Sequence, residues 1–161
     1  MTARLRADGF NPATDRYGVR TYRLVYRTVD AHGRPSTASG LLALPIGGPR
    51  DLPVVSFTHG TEVFRGDAPS EQPTGFEPGP AYTYASAGFA VSDPDYLGLG
   101  TGPGLHPWMD VPSETTAHVC SMPAPTKTAF VRPLAATGVD ALANPPFPSW
   151  PQLFRPAQRT D

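Results

Sequence analysis

Proline limits what this chain can fold into more than any other feature of its sequence. The chain has 21 prolines in 161 residues, whereas proline makes up about 5% of an average protein. A proline inside a helix removes a hydrogen bond and clashes with the preceding turn. A helical bundle is therefore excluded.

The charge and cysteine content exclude several partners and cofactors. Thirteen basic and fourteen acidic residues give a net charge of -1, so no overall field would draw the chain to nucleic acid or to an anionic bilayer. The single cysteine, Cys120, has no second cysteine with which to form a disulfide or a zinc site. We predict no cofactor, no metal and no nucleic-acid partner.

The distribution of apolar residues predicts the cellular compartment of the chain as written. The amino-terminal MTARLRADGF lacks the apolar stretch of roughly 7–15 residues that a secretory signal needs. No later run reaches the roughly 18 apolar residues of a membrane-spanning helix. As written, the chain is expected to have no transmembrane segment and to be cytoplasmic.

The first predicted elements are two strands between residues 20 and 45. Leu24, Tyr26 and Thr28 alternate with residues of the opposite face, which is the period of a strand. After the turn-like AHGRP, the small and aliphatic residues of STASGLLALP predict a second strand. Together they predict an antiparallel β-hairpin.

A parallel βαβ unit is predicted to follow the hairpin. LPVVSFTHG is an apolar run too short for a helix, as expected of a strand buried on both faces of a parallel sheet. A loop over residues 62–79 leads to a short helix in AYTYASAG, with Gly88 as its C-cap, and FAVSDPD supplies the next strand. Because such a crossover places both strands parallel in one sheet, the predicted fold class is α/β.

These patterns divide the chain into three parts. Residues 1–19 form an amino-terminal extension, residues 20–118 hold the predicted elements, and residues 119–161 form a tail rich in proline and alanine. The tail has no strand with clean alternation, so we predict that it is irregular. It is either disordered or, because its composition resembles a GC-rich coding sequence read in the wrong frame, the product of a frameshift.

A candidate oxyanion site follows the third predicted strand, at His59, Gly60 and Thr61. A backbone N–H at this place can stabilise a developing alkoxide, and a glycine lets the chain turn sharply there. Gly60 and Thr61 are the oxyanion-hole candidates, with the Thr61 amide preferred and His59 flanking them. The alternative is that HGT only ends the strand.

Several segments together resemble a known family. LPVVSFTHGT, DAPS and YASAGFAVSDPDYLGLGTGPGLHPWMD resemble the α/β-hydrolase superfamily, and within it the microbial secretory lipases and related esterases. The likeness covers residues 20–117, and DYLGLG with the following HPW is its most distinctive part. The resemblance implies a partial α/β-hydrolase sheet, serine-nucleophile hydrolysis of a small-molecule ester or lipid, and a family that is often secreted.

Asp95, Tyr96, Gly98 and Gly100 predict a tight turn independently of that resemblance. An aspartate at the carboxyl end of a parallel strand, followed by alternating glycines, lies at the sheet edge where α/β proteins build their sites. Its carboxylate can hold the loop by accepting backbone N–H bonds. We therefore expect these four residues to form a structural turn near the site and not to act directly in catalysis.

The nucleophilic serine is missing from the sequence. The likened fold places it at a strand-to-helix elbow of the form G-x-S-x-G, and no such pentapeptide occurs in the 161 residues. Ser86 in YASAG is the nearest imitation, but Tyr84 takes the place of the first glycine and the segment precedes a strand. The acid and histidine of the triad would follow the serine and are expected to be missing too.

One spacing in the sequence resembles a metal site on a helix, but prolines argue against it. Four potential ligands recur every four residues: His106, Asp110, Glu114 and His118. Pro107 and Pro112 break any helix that could align them. A helix is still expected in VPSETTAHV, with Ser113 as its N-cap.

The sequence thus predicts a carboxylic-ester hydrolase fold that is catalytically incomplete in this chain. The alternatives are a non-catalytic binding or interaction module, and one half of a hydrolase that a second chain completes. In the likened fold the third strand lies between the fourth and the fifth, so without the fifth strand PVVSF is an exposed apolar edge. Such an edge favours aggregation.

Overall fold

The structure, a computed structural model, describes residues 1–49, 51–72 and 74–122 and the backbone of residues 129–133. A five-stranded sheet has the strand order β3-β4-β2-β1-β5. The helices and strands run, in chain order, α1 Thr2–Ala7, β1 Gly18–Val29, β2 Pro35–Ile46, β3 Val54–Ser56, α2 Gly79–Ala87, β4 Ala90–Tyr96, α3 Val111–Ser121 and β5 Ala129–Pro133. Short 3-10 turns occupy Pro12–Thr14 and Arg65–Asp67.

The predicted hairpin is confirmed. β1 and β2 pair antiparallel over their whole length, and Tyr22, Leu24 and Tyr26 are buried on one face of the sheet. At the turn, the Asp30 carboxylate accepts hydrogen bonds from the backbone N–H groups of Arg34 and His32. These bonds and the Arg34 guanidinium lower the pKa of Asp30 to about 2, so the charged carboxylate closes the turn.

The predicted parallel unit is confirmed as well, and with it the α/β class. β3 and β4 pair parallel, and α2 connects them. Ala81 and Ala85 of α2 pack on Leu41 and Val91 of the sheet. Gly88 ends α2 in the left-handed conformation, with a φ of 109°, as expected for a glycine C-cap.

The third strand differs from its prediction in burial. Val54 and Val55 are half-buried, whereas the apolar run predicted burial on both faces. The reason is the position of β3 at the edge of the sheet. Among the described residues only β4 pairs with it, so the other edge of β3 has no backbone partner there.

The N-cap of α3 differs from the one that the sequence predicted. Asp110 is the N-cap, and its carboxylate accepts the backbone N–H of Ser113 at 3.2 Å. Ser113 is therefore inside the first turn and was wrongly predicted to be the cap. Both residues are good capping types, and Pro112 is favourable at the start of a helix, which moves the boundary toward Asp110.

Part of the predicted tail belongs to the sheet. α3 continues to Ser121, and the backbone of Ala129–Pro133 pairs antiparallel with β1. The sequence analysis did not predict this strand. The remainder of the tail, residues 123–128 and 134–161, lies outside the described residues. No helix in the described ranges has the length and apolar character needed to cross a bilayer.

The Asp95 carboxylate connects three segments at the end of β4. It is fully buried and accepts the Ser39 hydroxyl at 2.6 Å, the Ser70 backbone N–H at 2.9 Å and the Ser70 hydroxyl at 2.5 Å. Ser39 Oγ in turn accepts the backbone N–H of Thr101 at 2.9 Å. β2, the loop before α2 and the turn after β4 therefore meet at one carboxylate.

Asp93, two residues earlier on β4, has a different environment. Its side chain is fully buried, and among the described residues neither of its oxygens has a hydrogen-bond partner. Burial raises the pKa of Asp93 well above its usual value, and the nearby carboxylates of Asp95 and Glu62 raise it further. Asp93 is therefore a polar group that the fold buries at a cost.

Replacing Asp95 by alanine should destabilise the fold strongly. The change leaves a buried N–H and two buried hydroxyls without their acceptor, and each such loss costs about 1–3 kcal/mol. We expect urea denaturation to show a loss of at least about 3 kcal/mol in the free energy of unfolding. Asp51→Ala, at an exposed position, is the control, and an equal effect of the two substitutions would contradict the role given to Asp95.

Asp93→Asn should reduce the dependence of stability on pH. Because the pKa of Asp93 is raised in the folded state, the native protein binds more protons than the unfolded chain. This contribution is complete below the unfolded pKa of about 3.9 and is lost as the pH rises toward neutrality. Urea denaturation between about pH 4 and 7 should therefore show a shallower loss of stability in Asp93→Asn than in the wild type, and equal slopes would refute the prediction.

Candidate functional site

One pocket of about 180 Å³ lies where the loops after β3 and β4 meet. The predicted HGT and DYLGLG segments both contribute to it, as does the HPW loop. Its lining comes from four segments of the chain: residues His59, Gly60, Thr61 and Glu62, the turn residues Tyr96 and Leu99, the loop residues His106, Trp108 and Met109, and Glu114 of α3. The structure thus brings together motifs that are up to about 50 residues apart in the sequence, as the loops at one sheet edge should.

Gly60 and Thr61 lie at the open side of the pocket. Both residues are exposed. Gly60 does not have a positive φ, and a side chain added to it would meet no atom within 4 Å. Neither the backbone conformation nor the packing therefore requires glycine at this position, and its absent side chain leaves space beside the 60–61 peptide.

His59 forms the inner wall of the pocket. Its side chain is 1% exposed, its Nδ1 donates to the Gly60 carbonyl at 2.8 Å, and its ring lies on that of Tyr96 with 4.6 Å between centroids. Its Nε2 is buried and has no hydrogen-bond partner among the described residues. The histidine thus holds the backbone at Gly60 and keeps one ring nitrogen unengaged.

The turn after β4 has the conformation that its glycines predict. Gly98 has a φ of 73°, and a side chain there would overlap the backbone of Leu105. The Arg65 guanidinium donates to the carbonyls of Gly98 and Gly104 at 2.9 and 2.8 Å. These contacts hold the HPW loop against the turn and so position one wall of the pocket.

Tyr96 is a non-glycine residue in the left-handed region, with a φ of 66°. This conformation is unfavourable for a residue of its size and is often found at functional sites. Burial raises the pKa of Tyr96 to about 12, and the Glu114 carboxylate contributes to the shift. The phenol therefore stays protonated at neutral pH and can only donate or accept hydrogen bonds.

A carboxylate pair that the sequence analysis missed lies beside His59. The Glu62 side chain is 5% exposed, and its Oε1 is 3.8 Å from His59 Nδ1. Burial raises the pKa of Glu62 to about 8, and the neighbouring Glu77 carboxylate adds to the shift. The i, i+3 spacing of His59 and Glu62 is visible in the sequence, but nothing in it places Glu77 beside them.

The residues that the sequence analysis rejected as nucleophile or metal ligand make structural contacts. Ser86 is fully buried, and its hydroxyl donates to the Thr83 carbonyl at 3.0 Å within α2. His106 contacts the Leu97 carbonyl through Nδ1. Ser56 and His118 form a serine–histidine contact, 3.0 Å from Oγ to Nε2, which the sequence analysis also missed. This pair joins β3 to α3 and does not line the pocket.

No protein-family model and no curated protein match the chain. Solved structures do match it. A provisionally named hydrolase from Legionella pneumophila is 29% identical with a TM-score of 0.60, and the match covers 74% of this chain and 34% of that protein. The N228W mutant of the rice cell wall degrading esterase LipA from Xanthomonas oryzae is 30% identical with a TM-score of 0.59, and the match covers 75% and 32%.

The unmutated LipA esterase matches in the same way, at 28% identity and a TM-score of 0.58 over 74% of this chain and 31% of the esterase. The chain therefore spans about a third of the length of each of these structures. Their agreement over three quarters of the chain shows a hydrolase-like fold.

Proposed function

We propose that this chain carries the oxyanion-hole half of a carboxylic-ester hydrolase of the lipase or esterase class and is catalytically incomplete alone. The observation that supports this most is the meeting of Gly60 and Thr61 with the DYLGLG turn around one pocket. The likeness to structures named as a hydrolase and an esterase supports the same class. Fold likeness alone would not be enough, because function depends on the site.

The chemistry would be acyl transfer through a serine. Attack on an ester carbonyl gives a tetrahedral intermediate whose oxyanion is stabilised by backbone N–H groups. We assign one of these to Thr61, and the second would lie next to the serine. The missing side chain at Gly60 leaves room beside the Thr61 amide, as an approaching ester oxygen requires.

The walls of the pocket fit a small ester. Leu99, Trp108 and Met109 supply apolar surface, and Trp108 and Met109 are exposed at its mouth. Hydrocarbon on the acyl or alcohol side could pack there, since binding pockets combine apolar walls with a few polar groups. Tyr96, His106 and Glu114 are among the polar residues that line the same pocket.

The edge of β3 supports one alternative, in which a second chain completes the hydrolase. Within the described part of the chain β3 pairs on one side only, and its valines are half-buried. The other side would accept a further strand through backbone hydrogen bonds. A strand leading into a G-x-S-x-G elbow would bring the serine beside Thr61. Without that strand the edge favours aggregation, whereas a monomer that melts cooperatively would favour a non-catalytic interaction module.

The purified chain should not hydrolyse a short-chain nitrophenyl ester above the buffer rate. On this proposal the chain lacks the elbow serine, and Ser86, its nearest imitation in the sequence, is buried in α2. Release of nitrophenol is the measurement, with Ser86→Ala and Ser56→Ala as controls. Turnover that survives Ser86→Ala and disappears when another serine is replaced would contradict the proposed incompleteness.

The oxyanion role of Thr61 can be tested in a chimera in which residues 20–118 replace the matching third of the LipA esterase. Thr61→Pro removes the backbone N–H and should lower kcat by about 10²–10³-fold, the usual effect of losing one oxyanion donor. Thr61→Ala keeps the N–H and is the matched control. If both variants keep the activity of the parent chimera, Thr61 is not an oxyanion donor.

A further inference from the structure

A cluster of potential metal ligands lies at the wall of the pocket. One ring nitrogen of His59, one oxygen of Glu62 and one oxygen of Glu77 lie within 4.8 Å of one another. The side chains of His59 and Glu62 are 1% and 5% exposed. His59 and Glu62 come from the loop after β3, and Glu77 is the residue before the N-cap of α2. The fold therefore brings Glu77 to the other two residues.

His59 has the hydrogen bonding expected of a metal ligand. Metal-binding histidines almost always donate one ring N–H to a carbonyl or carboxylate, which fixes the tautomer and leaves the other nitrogen free. In His59 the donor is Nδ1 and the acceptor is the Gly60 carbonyl, at 2.8 Å. The same Nδ1 lies 3.8 Å from Glu62 Oε1, so the ring is next to the carboxylates. Nε2 is buried without a hydrogen-bond partner among the described residues, which is costly unless something binds it.

The carboxylates of the cluster have no compensating cation within the described part of the chain. The arginines that form ion pairs in this part of the chain pair with Asp8, Glu71 and Asp30. None of them pairs with Glu62 or Glu77. Both oxygens of Glu62 lack a hydrogen bond of ordinary geometry there. Asp93 adds a third carboxyl close enough to interact electrostatically with both glutamates.

We infer that His59, Glu62 and Glu77 form a binding site for a divalent transition-metal ion such as Zn²⁺. One imidazole and two carboxylates are ligand types that Zn²⁺ accepts, whereas Mg²⁺ and Ca²⁺ prefer sites made wholly of oxygen. The ion would neutralise the buried carboxylates and connect the two ends of the 62–77 loop to β3. This site does not depend on the proposed ester hydrolysis, because its ligands need no serine.

The test is calorimetric titration of the chelator-treated chain with ZnCl₂, with thermal unfolding as a second measurement. We expect one Zn²⁺ per chain and a higher unfolding temperature when the ion is bound. Glu62→Gln and Glu77→Gln should each weaken binding at least about tenfold, as changes around metal ligands do. Glu62→Gln keeps the size of the buried side chain and removes its acidic group, so it is expected to fold, and circular dichroism checks this.

Glu71→Gln is the matched control, because Glu71 lies in the same loop and pairs with Arg23 outside the cluster. It should bind Zn²⁺ as the wild type does. Failure of the wild type to bind Zn²⁺, or binding that is unchanged in both Glu62→Gln and Glu77→Gln, would overturn the site. Binding of Ca²⁺ with similar strength would overturn the assignment to a transition metal.

Discussion

The acceptance of three hydrogen bonds by the Asp95 carboxylate is the interaction on which the arrangement of the site depends. Its donors come from β2 and from the loop that precedes α2, and the neighbouring Gly100 has no room for a side chain beside it. Tyr96 follows directly and lines the pocket. The position of the pocket wall is thus set by a buried carboxyl group whose donors, Ser39 and Ser70, come from two separate segments of the chain.

The sequence predicts best what local patterns determine. The alternation at Leu24 and Tyr26 gave the hairpin, and Gly88 gave the end of α2, because each depends on a few neighbouring residues. The edge position of β3 depends on which strands are present to pair with it, and the convergence of Glu77 with His59 depends on the whole loop between them. Neither feature has a local signal: the edge position was expected only from the strand order of the likened fold, and the position of Glu77 is seen only in the structure.

Two glycines near the pocket differ in whether the fold requires them. Gly98 has a positive φ and closely packed backbone around it, so the turn itself requires glycine. Gly60 has neither. A glycine that the fold does not require raises the conformational entropy of the unfolded chain and so lowers the stability of the folded one. On the proposed function, the missing side chain at Gly60 leaves the backbone beside Thr61 open to an approaching ester.

The buried carboxyl groups also differ in whether the fold satisfies their hydrogen bonding. Asp95 satisfies its oxygens within the fold, whereas Asp93 and Glu62 have no hydrogen bond of ordinary geometry among the described residues. An unsatisfied buried carboxyl destabilises a protein, and local conflicts of this kind are expected where function competes with stability. The Glu62 and Glu77 carboxylates add to the raised pKa of Asp93, and Glu62 lines the pocket. The unfavourable burial is thus concentrated next to the pocket, where a bound cation would offset it.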